Sequence, residues 1–395
     1  MQRQQISHHL SKLSRVIITM LHILFFSSLI FFVGTYLGFL YYIRKQAKKP
    51  WNIKTDQNFQ PTVSIIVPAY NEEDAIGKKL ENLSEVKYPN AKIEIIVVDD
   101  ASEDKTLERV ESFVGNHADL NIKVLKQYPR AGKSAGLNLA LDATANSIVI
   151  VSDADTLWPP DVLEKALPYL ADAKIGAVSG MGINENMSHS WTTKAEETYL
   201  NYTNLIRIGE SKKYSTIRFE GGFCAYKKGT FREFDCETGS DDSGTALDVV
   251  QHDYRTILVP EVLFTTCFPT ELVGKLRIKT RRATQLIGLW SKCLKLLFRR
   301  ELKLPTSIAI PEFFLFIFNP VVFAVLIVTT LGVIVSFPFS WLSLLILAGI
   351  ATLLVFLRRL FVEVLMDNFV LLYALAGFLS GRRYVAWQKT KINPD

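Results

Sequence analysis

Five short runs of mainly aliphatic residues, Val63–Pro68, Ile93–Asp99, Ile122–Lys126, Ser147–Asp153 and Ile175–Val178, are spaced along the middle of the chain by more polar stretches. Each has the length and composition of a β-strand. Between the first two lies Asn71–Val86, where Ile76, Leu80 and Leu83 recur at helical spacing, and between the second and third lies Lys105–Val114, which reads as another helix. Strand, helix and strand in repetition predict an α/β fold whose mostly parallel sheet carries helices on both faces. Ligands of such sheets bind beyond the carboxyl ends of the strands, so the polar residues directly after each strand are the ones to read for chemistry.

Outside this middle the apolar runs are longer. Val16 to Ile43 contains no Asp, Glu, Lys or Arg, and at 1.5 Å per residue it is long enough to cross a hydrocarbon core of about 30 Å. A cleaved signal would have a shorter apolar core and a small-residue cleavage site, whereas Tyr41, Tyr42, Arg44 and Lys45 close this run. A second uncharged run, Phe313 to Leu357, is broken at Ser336–Ser340 and predicts two spans. Leu360 to Ser380, with Glu363 and Asp367, predicts a third span or a helix in the interface. Just before these, Leu272 to Leu304 mixes Leu, Ile, Trp290 and Phe298 with basic residues, the pattern of one amphipathic helix or two short ones on the inner leaflet, with a solvated charged face as the plainer alternative. The expected organisation is an anchor over 1–50, a soluble domain over 51–270, interfacial helices over 271–308, membrane helices over 309–381 and a basic tail over 382–395.

Charge sharpens that picture. Only 21% of residues are charged, below the roughly 25% of soluble domains. The net charge of +6 is concentrated, with seven Lys or Arg and no acid in residues 1–50, and ten with only Glu301 against them in residues 275–303. Basic residues beside apolar spans serve orientation and contact with anionic lipid, so a lipid bilayer is the expected partner and nucleic acid is not. The positive-inside bias places the soluble domain in the cytoplasm of an integral plasma-membrane protein. It is narrow at the first span, where Arg44, Lys45, Lys48 and Lys49 oppose Arg3, Lys12 and Arg15, and three C-terminal spans would put Arg382, Arg383, Lys389 and Lys391 on the disfavoured side. The four cysteines and six histidines show no metal-ligand spacing, which points to reduced thiols and no histidine metal site.

The strand ends carry the candidate chemistry. Pro68-Ala69-Tyr70-Asn71-Glu72-Glu73 and Asp99-Asp100-Ala101-Ser102-Glu103-Asp104 place acids where a carboxylate can accept from a base N–H or a ribose hydroxyl. Helix capping by Asn71 or Ser102 is the plainer alternative. The fourth strand ends in Asp153-Ala154-Asp155. Two carboxylates so close repel unless a cation shares them, and Mg²⁺ or Mn²⁺ held with substrate phosphates is the natural occupant. Arg130 to Asn138, with Gly132 and Lys133, is a cationic loop leading into a helix and suits a diphosphate, although it is not a Walker loop. Farther on, Glu220-Gly221-Gly222-Phe223 precedes a short strand, and Asp241-Asp242 precede a helix that they either cap or supply with a general base.

Taken in order and spacing, Val63 to Glu72, Val97 to Ser102, Gly132 to Asn138, Asp153-Ala154-Asp155 and Asp241-Asp242 resemble the family 2 glycosyltransferases over about Thr62 to Val262. The membrane layout looks like the polysaccharide-synthase branch that includes hyaluronan, chitin and cellulose synthases. The resemblance implies a Rossmann-like GT-A domain in which Ala69, Tyr70 and Glu72 line the nucleotide pocket and Asp100 or Asp99 contacts the base. It implies that Lys133 and Asp153 stand near the donor, that Asp155 holds Mg²⁺ or Mn²⁺ on the diphosphate, and that Asp242 is the catalytic base, although Asp241 in place of the family's usual Glu leaves the choice between the two acids open.

The synthases' Gln-x-x-Arg-Trp signature is reduced here to Lys279-Thr280-Arg281-Arg282-Ala283. The resemblance implies that Arg282 keeps the role of an arginine near the diphosphate, while the missing Gln and Trp speak against processive synthesis. The implied reaction is an inverting, metal-dependent transfer from a nucleotide sugar, a UDP-sugar first, to a hydroxyl of a membrane-associated glycan or glycolipid. The alternatives are a polyprenyl-phosphate sugar synthase, a lipid-linked nucleotidyltransferase, and a membrane transporter whose soluble domain only binds nucleotide sugar and whose path is lined by Glu363 and Asp367.

Overall fold

In the computed structural model the described residues are 2–185, 191–267, 269 and 271–381, so the expected basic tail lies outside them. Seven strands form one sheet: β1 (Val63–Ala69), β2 (Ile93–Asp99), β3 (Ile122–Lys126), β4 (Ile148–Val151), β5 (Ile175–Asn184), β6 (Cys224–Lys227) and β7 (Arg255–Thr266). Their spatial order is β3-β2-β1-β4-β6-β5-β7, parallel throughout except that β6 runs against both of its neighbours. The five expected strands are all present, and the short strand expected after Glu220-Gly-Gly-Phe is β6.

β1, β2 and β4 are buried at every position, which is why their sequences are apolar runs and not alternations. One core, with Ile65 and Val67, packs under α2 (Ile76–Ser84), α3 (Thr106–Asn116) and α5 (Val162–Leu170). The other, with Ile66, Ile96 and Val149, packs under α4 (Lys133–Ala143), α7 (Asp241–Gln251) and part of α8 (Leu272–Phe298). Each fully buried Val or Ile contributes about 1.5–3 kcal/mol relative to exposure. The two layers hold β1, β2 and β4 in a register that brings Ala69 beside Asp99 and Ile66 beside Val151, so the chemistry-bearing strand ends lie along one edge of the sheet.

α1 (Gln2–Ala47) packs on α6 (Trp191–Lys213), where Gly209 lets the two helices close on Ile43. After α8 come α9 (Thr306–Phe313), a π-helical turn over Phe314–Phe318, α10 (Asn319–Ser336), α11 (Trp341–Phe356) and α12 (Arg358–Leu379). Three stretches, Val16–Ala47, Thr306–Ser336 and Arg358–Leu379, are long and apolar enough to cross a membrane. The break expected at Ser336–Ser340 is present, with Ser340 capping the next helix through Ser343 N, but α11 has only 16 residues, about 24 Å of rise.

Two expectations change in detail. α2 begins at Ile76 and not at Asn71, because the residues between bond to the loop after β2. The basic segment is a single helix held on two sides, with Leu289, Trp290 and Cys293 in the second core and Ala283 and Ile287 against Val370, Leu371 and Ala374 of α12. Two of its basic residues, Lys275 and Lys279, are consequently buried, so this part of the helix does not present its charges to a leaflet.

Candidate active site

The loops after β1 and β2 are tied to each other. Asn71 takes a positive φ of 54° and Ala101 one of 58°. Asn71 N then donates to Ser102 Oγ at 3.0 Å, Glu103 N donates to Asn71 Oδ1 at 2.8 Å, and Glu72 N donates to Thr106 Oγ1 at 2.7 Å. Asn71 and Ser102 thus bridge two loops and do not cap the helices that follow. Ala69 and Glu72 are buried, and the Arg130 guanidinium lies 3.5 Å from the centre of the Tyr70 ring.

The two acids at the end of β2 have different partners. Asp100 Oδ1 accepts from Ala131 N at 2.9 Å and Gln127 Nε2 at 2.5 Å, while its Oδ2 accepts from Gly132 N at 3.0 Å. Its carboxylate is committed to shaping the loop before α4. Asp99 Oδ2 accepts from Ser102 N at 3.3 Å, and its Oδ1 is buried with no hydrogen-bond partner among the described residues. Of the two, Asp99 is the one with an acceptor to offer a ligand. Gly132, at a φ of 92°, makes the turn into α4 that only glycine adopts without strain.

From that turn Lys133 reaches two acids at once, Asp153 Oδ1 at 2.8 Å and Asp241 Oδ2 at 2.9 Å. Gly221 lies beside this junction. A Cβ on it would stand 2.6 Å from Asp153 Oδ2 and 2.9 Å from Lys133 Nζ, so a larger residue here would make these two side-chain ends shift. Burial works to raise the Asp153 carboxyl, but Lys133, followed by Arg281 and Lys79, outweighs it and holds the group below its ordinary range. Burial among the three acids likewise leaves the Lys133 ammonium well above its usual value, because Asp153, Asp241 and Asp242 outweigh desolvation. Asp155 is more open to solvent, yet the surrounding protein and the Asp153 charge raise its carboxyl.

Asp241 and Asp242 open the first turn of α7. Asp242 Oδ1 accepts from Ser240 Oγ at 2.7 Å and from Ser243 N at 2.6 Å. Burial and the neighbouring Asp241 push its carboxyl up to about 6, against the opposing pull of Lys133. A general base is most effective with a pKa near the operating pH, and Asp242 has one while Asp241 is spent on Lys133.

These groups face a cleft of about 250 Å³ lined by Lys133, Asp153, Asp241, Asp242, Arg281, Arg282 and, from α6, Tyr199. Of the residues expected from sequence, Ala69, Tyr70, Glu72, Asp99 and Asp100 stand outside it at the ends of β1 and β2. Asp155 is also off its lining, and the Asp100–Gly132 bond joins the two halves.

Several residues were not anticipated. Arg281 is more enclosed than Arg282, and its Nε is buried without a hydrogen-bond partner among the described residues. Burial and Arg282 lower its pKa against the pull of Asp153, Asp241 and Asp242. Arg207, a buried residue of the cleft lining, pairs with Glu220 at 2.8 Å. Lys79, fully buried on the apolar stripe of α2, donates to Thr156 O at 2.9 Å and stands 4.2 Å from the Trp158 ring. Desolvation takes it down to about 7, although Asp153 and Asp155 pull it upward. Only its place one turn from Ile76, on the face that carries Leu80 and Leu83, could have flagged it.

Asp153, one oxygen of which is held by Lys133, and the more open Asp155 are the carboxylates here that could hold a divalent cation. Among the described residues no group of three His, Cys, Asp or Glu completes a protein cage. Two carboxylates with the remaining positions left to phosphate oxygens and water suit Mg²⁺ or Mn²⁺, which rarely use an all-protein cage.

Residues 64–234 match the model of glycosyl transferase family 2. The β-monoglucosyldiacylglycerol synthase of Trichormus variabilis is 36% identical over 145 residues, 36% of this chain and 31% of that protein. The poly(ribitol-phosphate) β-N-acetylglucosaminyltransferase TarS of Staphylococcus aureus is 30% identical over 161 residues, 39% of this chain and 27% of that one. The chain therefore spans about a third or less of the length of these curated relatives. Among solved structures, the mannosyltransferase PcManGT of Pyrobaculum calidifontis in complex with GDP-Man and Mn²⁺ superposes with a TM-score of 0.79 at 29% identity, covering 92% of this chain and 100% of that one.

Proposed function

We propose, from the premise that residues 64–234 form a glycosyl transferase family 2 domain, that this protein is a membrane-bound glycosyltransferase. It moves a sugar from a nucleoside-diphosphate sugar to a hydroxyl of a membrane-associated glycan or glycolipid, with inversion and with a divalent metal. The observation that carries this reading is the division of labour between adjacent acids, in which Asp241 pairs with Lys133 while Asp242, at about 6, remains as a base in the same cleft as Asp153.

In this mechanism Asp242 takes the proton of the acceptor hydroxyl. The oxygen attacks the anomeric carbon as the nucleoside diphosphate departs from the opposite face. Lys133 and Arg281 balance the negative charge that gathers on the departing group. Mg²⁺ or Mn²⁺ held by Asp155 and Asp153 would supply Lewis-acid neutralisation of the diphosphate. Asp99 offers its free Oδ1 to the nucleobase, and the Tyr70 ring, with the Arg130 guanidinium over it, stands with Asp99 at the strand ends outside the cleft.

The relatives support the donor and acceptor classes: one makes a glucosyl-diacylglycerol, another modifies a polyol-phosphate polymer, and the solved neighbour holds GDP-Man. The three long apolar helices support a membrane location; the basic residues after the first span, Arg44, Lys45, Lys48 and Lys49, favour a cytoplasmic side for the domain, and the plasma membrane is the proposed location. A transport path along Glu363 and Asp367 finds no support, since both acids are paired with lysines of α8. Release of nucleoside diphosphate by the purified protein, with a panel of UDP- and GDP-sugars, tests the proposal. Release that depends on the metal and on Asp242 is the expected result.

A further inference from the structure

Behind the cleft lies a buried ion cluster that the reaction above does not use. Lys279 of α8 has its Nζ 2.6 Å from Asp367 Oδ1 and against Glu363 Oε1, both on α12, and 3.5 Å from Glu196 Oε2 on α6. Its ammonium also stands 4.5 Å from the centre of the Tyr199 ring. Lys275, one turn earlier, lies 3.0 Å from Glu363 Oε2 and 3.9 Å from Glu196 Oε2. Lys275 is 0% exposed and Glu196 1%. Charges taken this far out of water gain little stability over apolar residues of the same volume, and the best-attested use of such groups is to fix one register of packed helices.

The register at stake here belongs to the helix that closes the cleft. Two residues after Lys279 comes Arg281, then Arg282 and Gln285, and all three line the cleft. Gln285 Nε2 donates to Gly239 O, in the turn that leads to Asp241 and Asp242. A slip of α8 by one residue is a rotation of about 100°; it would carry Lys279 away from three carboxylates and Arg281 away from Asp153, Asp241 and Asp242 together. Tyr199 is shared, since it packs on Lys279 and also lines the cleft.

We infer that Lys279 is a positioning residue for the transfer reaction: held by Glu363 and Asp367 of the apolar helix α12 and by Glu196 of α6, it sets the rotation of α8 that puts Arg281 into the cleft. The inference rests on the proposed glycosyltransferase reading, and it makes the seating of α12 a condition for efficient transfer.

A double-mutant cycle on the full-length protein separates this from a merely structural role. Lys279→Gln should lower kcat by roughly tenfold to a hundredfold, the range of a modest misplacement of a reacting group, with a smaller change in donor KM. On an Arg281→Gln background the same substitution should cost little further kcat, because Lys279 acts through Arg281. An equal fold-loss of kcat on both backgrounds would overturn the inference. If Lys279→Gln does not fold, Asp367→Asn, which leaves Glu363 and Glu196 on the lysine, gives the same cycle with the same criterion. Failure of the parental protein to transfer any sugar would overturn the proposed function and this inference with it, whereas additivity in an active protein overturns the inference alone.

Discussion

The Asp241 carboxylate lies 2.9 Å from the Lys133 ammonium. That contact gives two chemically identical neighbours different work. Asp241 is neutralised by a cation that also holds Asp153, and Asp242, whose Oδ1 accepts from Ser240 Oγ and Ser243 N, is left as an acid of elevated pKa. Substituting either acid should therefore have a distinct outcome.

Asp242→Asn keeps the hydrogen-bonding shape but removes the base. Transfer should fall by about 10²- to 10⁴-fold, the ordinary worth of a general base, while donor affinity measured by calorimetry stays near the parental value. Asp241→Asn frees one partner of Lys133, so its first effect should be on donor affinity. Equal kcat losses with unchanged donor affinity in both variants would contradict the assignment.

The pH dependence follows from the same group. A base must be deprotonated to act, and the Asp242 carboxyl sits at about 6. The rate kcat/KM should rise as pH rises through about 6 and level off above it. Lys133 pulls this value down, so Lys133→Met should shift the acid limb to higher pH. An acid limb that stayed in place in this variant would show that another group controls it.

Gly221 is tested by adding one methyl group. Gly221→Ala would put carbon 2.6 Å from Asp153 Oδ2, and overpacking of this kind costs about 1–3 kcal/mol. The Asp153–Lys133 junction has to open to relieve it. Weakened Mn²⁺-dependent donor binding with an intact circular dichroism spectrum is the expected result, and parental binding would show that the junction is looser than described.

Lys79 offers a prediction with two opposite signs. Lys79→Met removes the donor to Thr156 O, and a buried carbonyl left unpaired costs about 1–3 kcal/mol, so Tm should fall. The same change removes a positive charge that acts on Asp153 and Asp155, so Mn²⁺ affinity should rise. A Tm drop with weaker metal binding would contradict the placement of Lys79 beneath the two acids.

The strands and their terminal motifs were legible in the sequence because the physics there is local. An aliphatic run buried on both faces ends where polar residues must meet solvent or a ligand. What sequence left open was set by residues far along the chain. Asp99 and Asp100 are equivalent as letters, and only the folding back of Gln127–Gly132 onto Asp100 separates them. Arg282 was matched by motif, yet Arg281 is the more enclosed arginine, because the rotation of α8 is fixed by Glu363 and Asp367 more than eighty residues later. The basic run read as lipid-facing contains Lys275 and Lys279, and its composition alone held no sign of the acids on α6 and α12 that bury them.

The account stands most directly on a measurement of nucleoside diphosphate release. The detergent-purified full-length protein would be supplied with Mn²⁺ or Mg²⁺ and a panel of UDP- and GDP-sugars, beside an Asp153→Asn/Asp155→Asn variant and a sample treated with EDTA. The account predicts release from one donor that is lost in the variant and on chelation and returns when the metal is restored. Release that persists at the parental rate without metal, or in the variant, would contradict it.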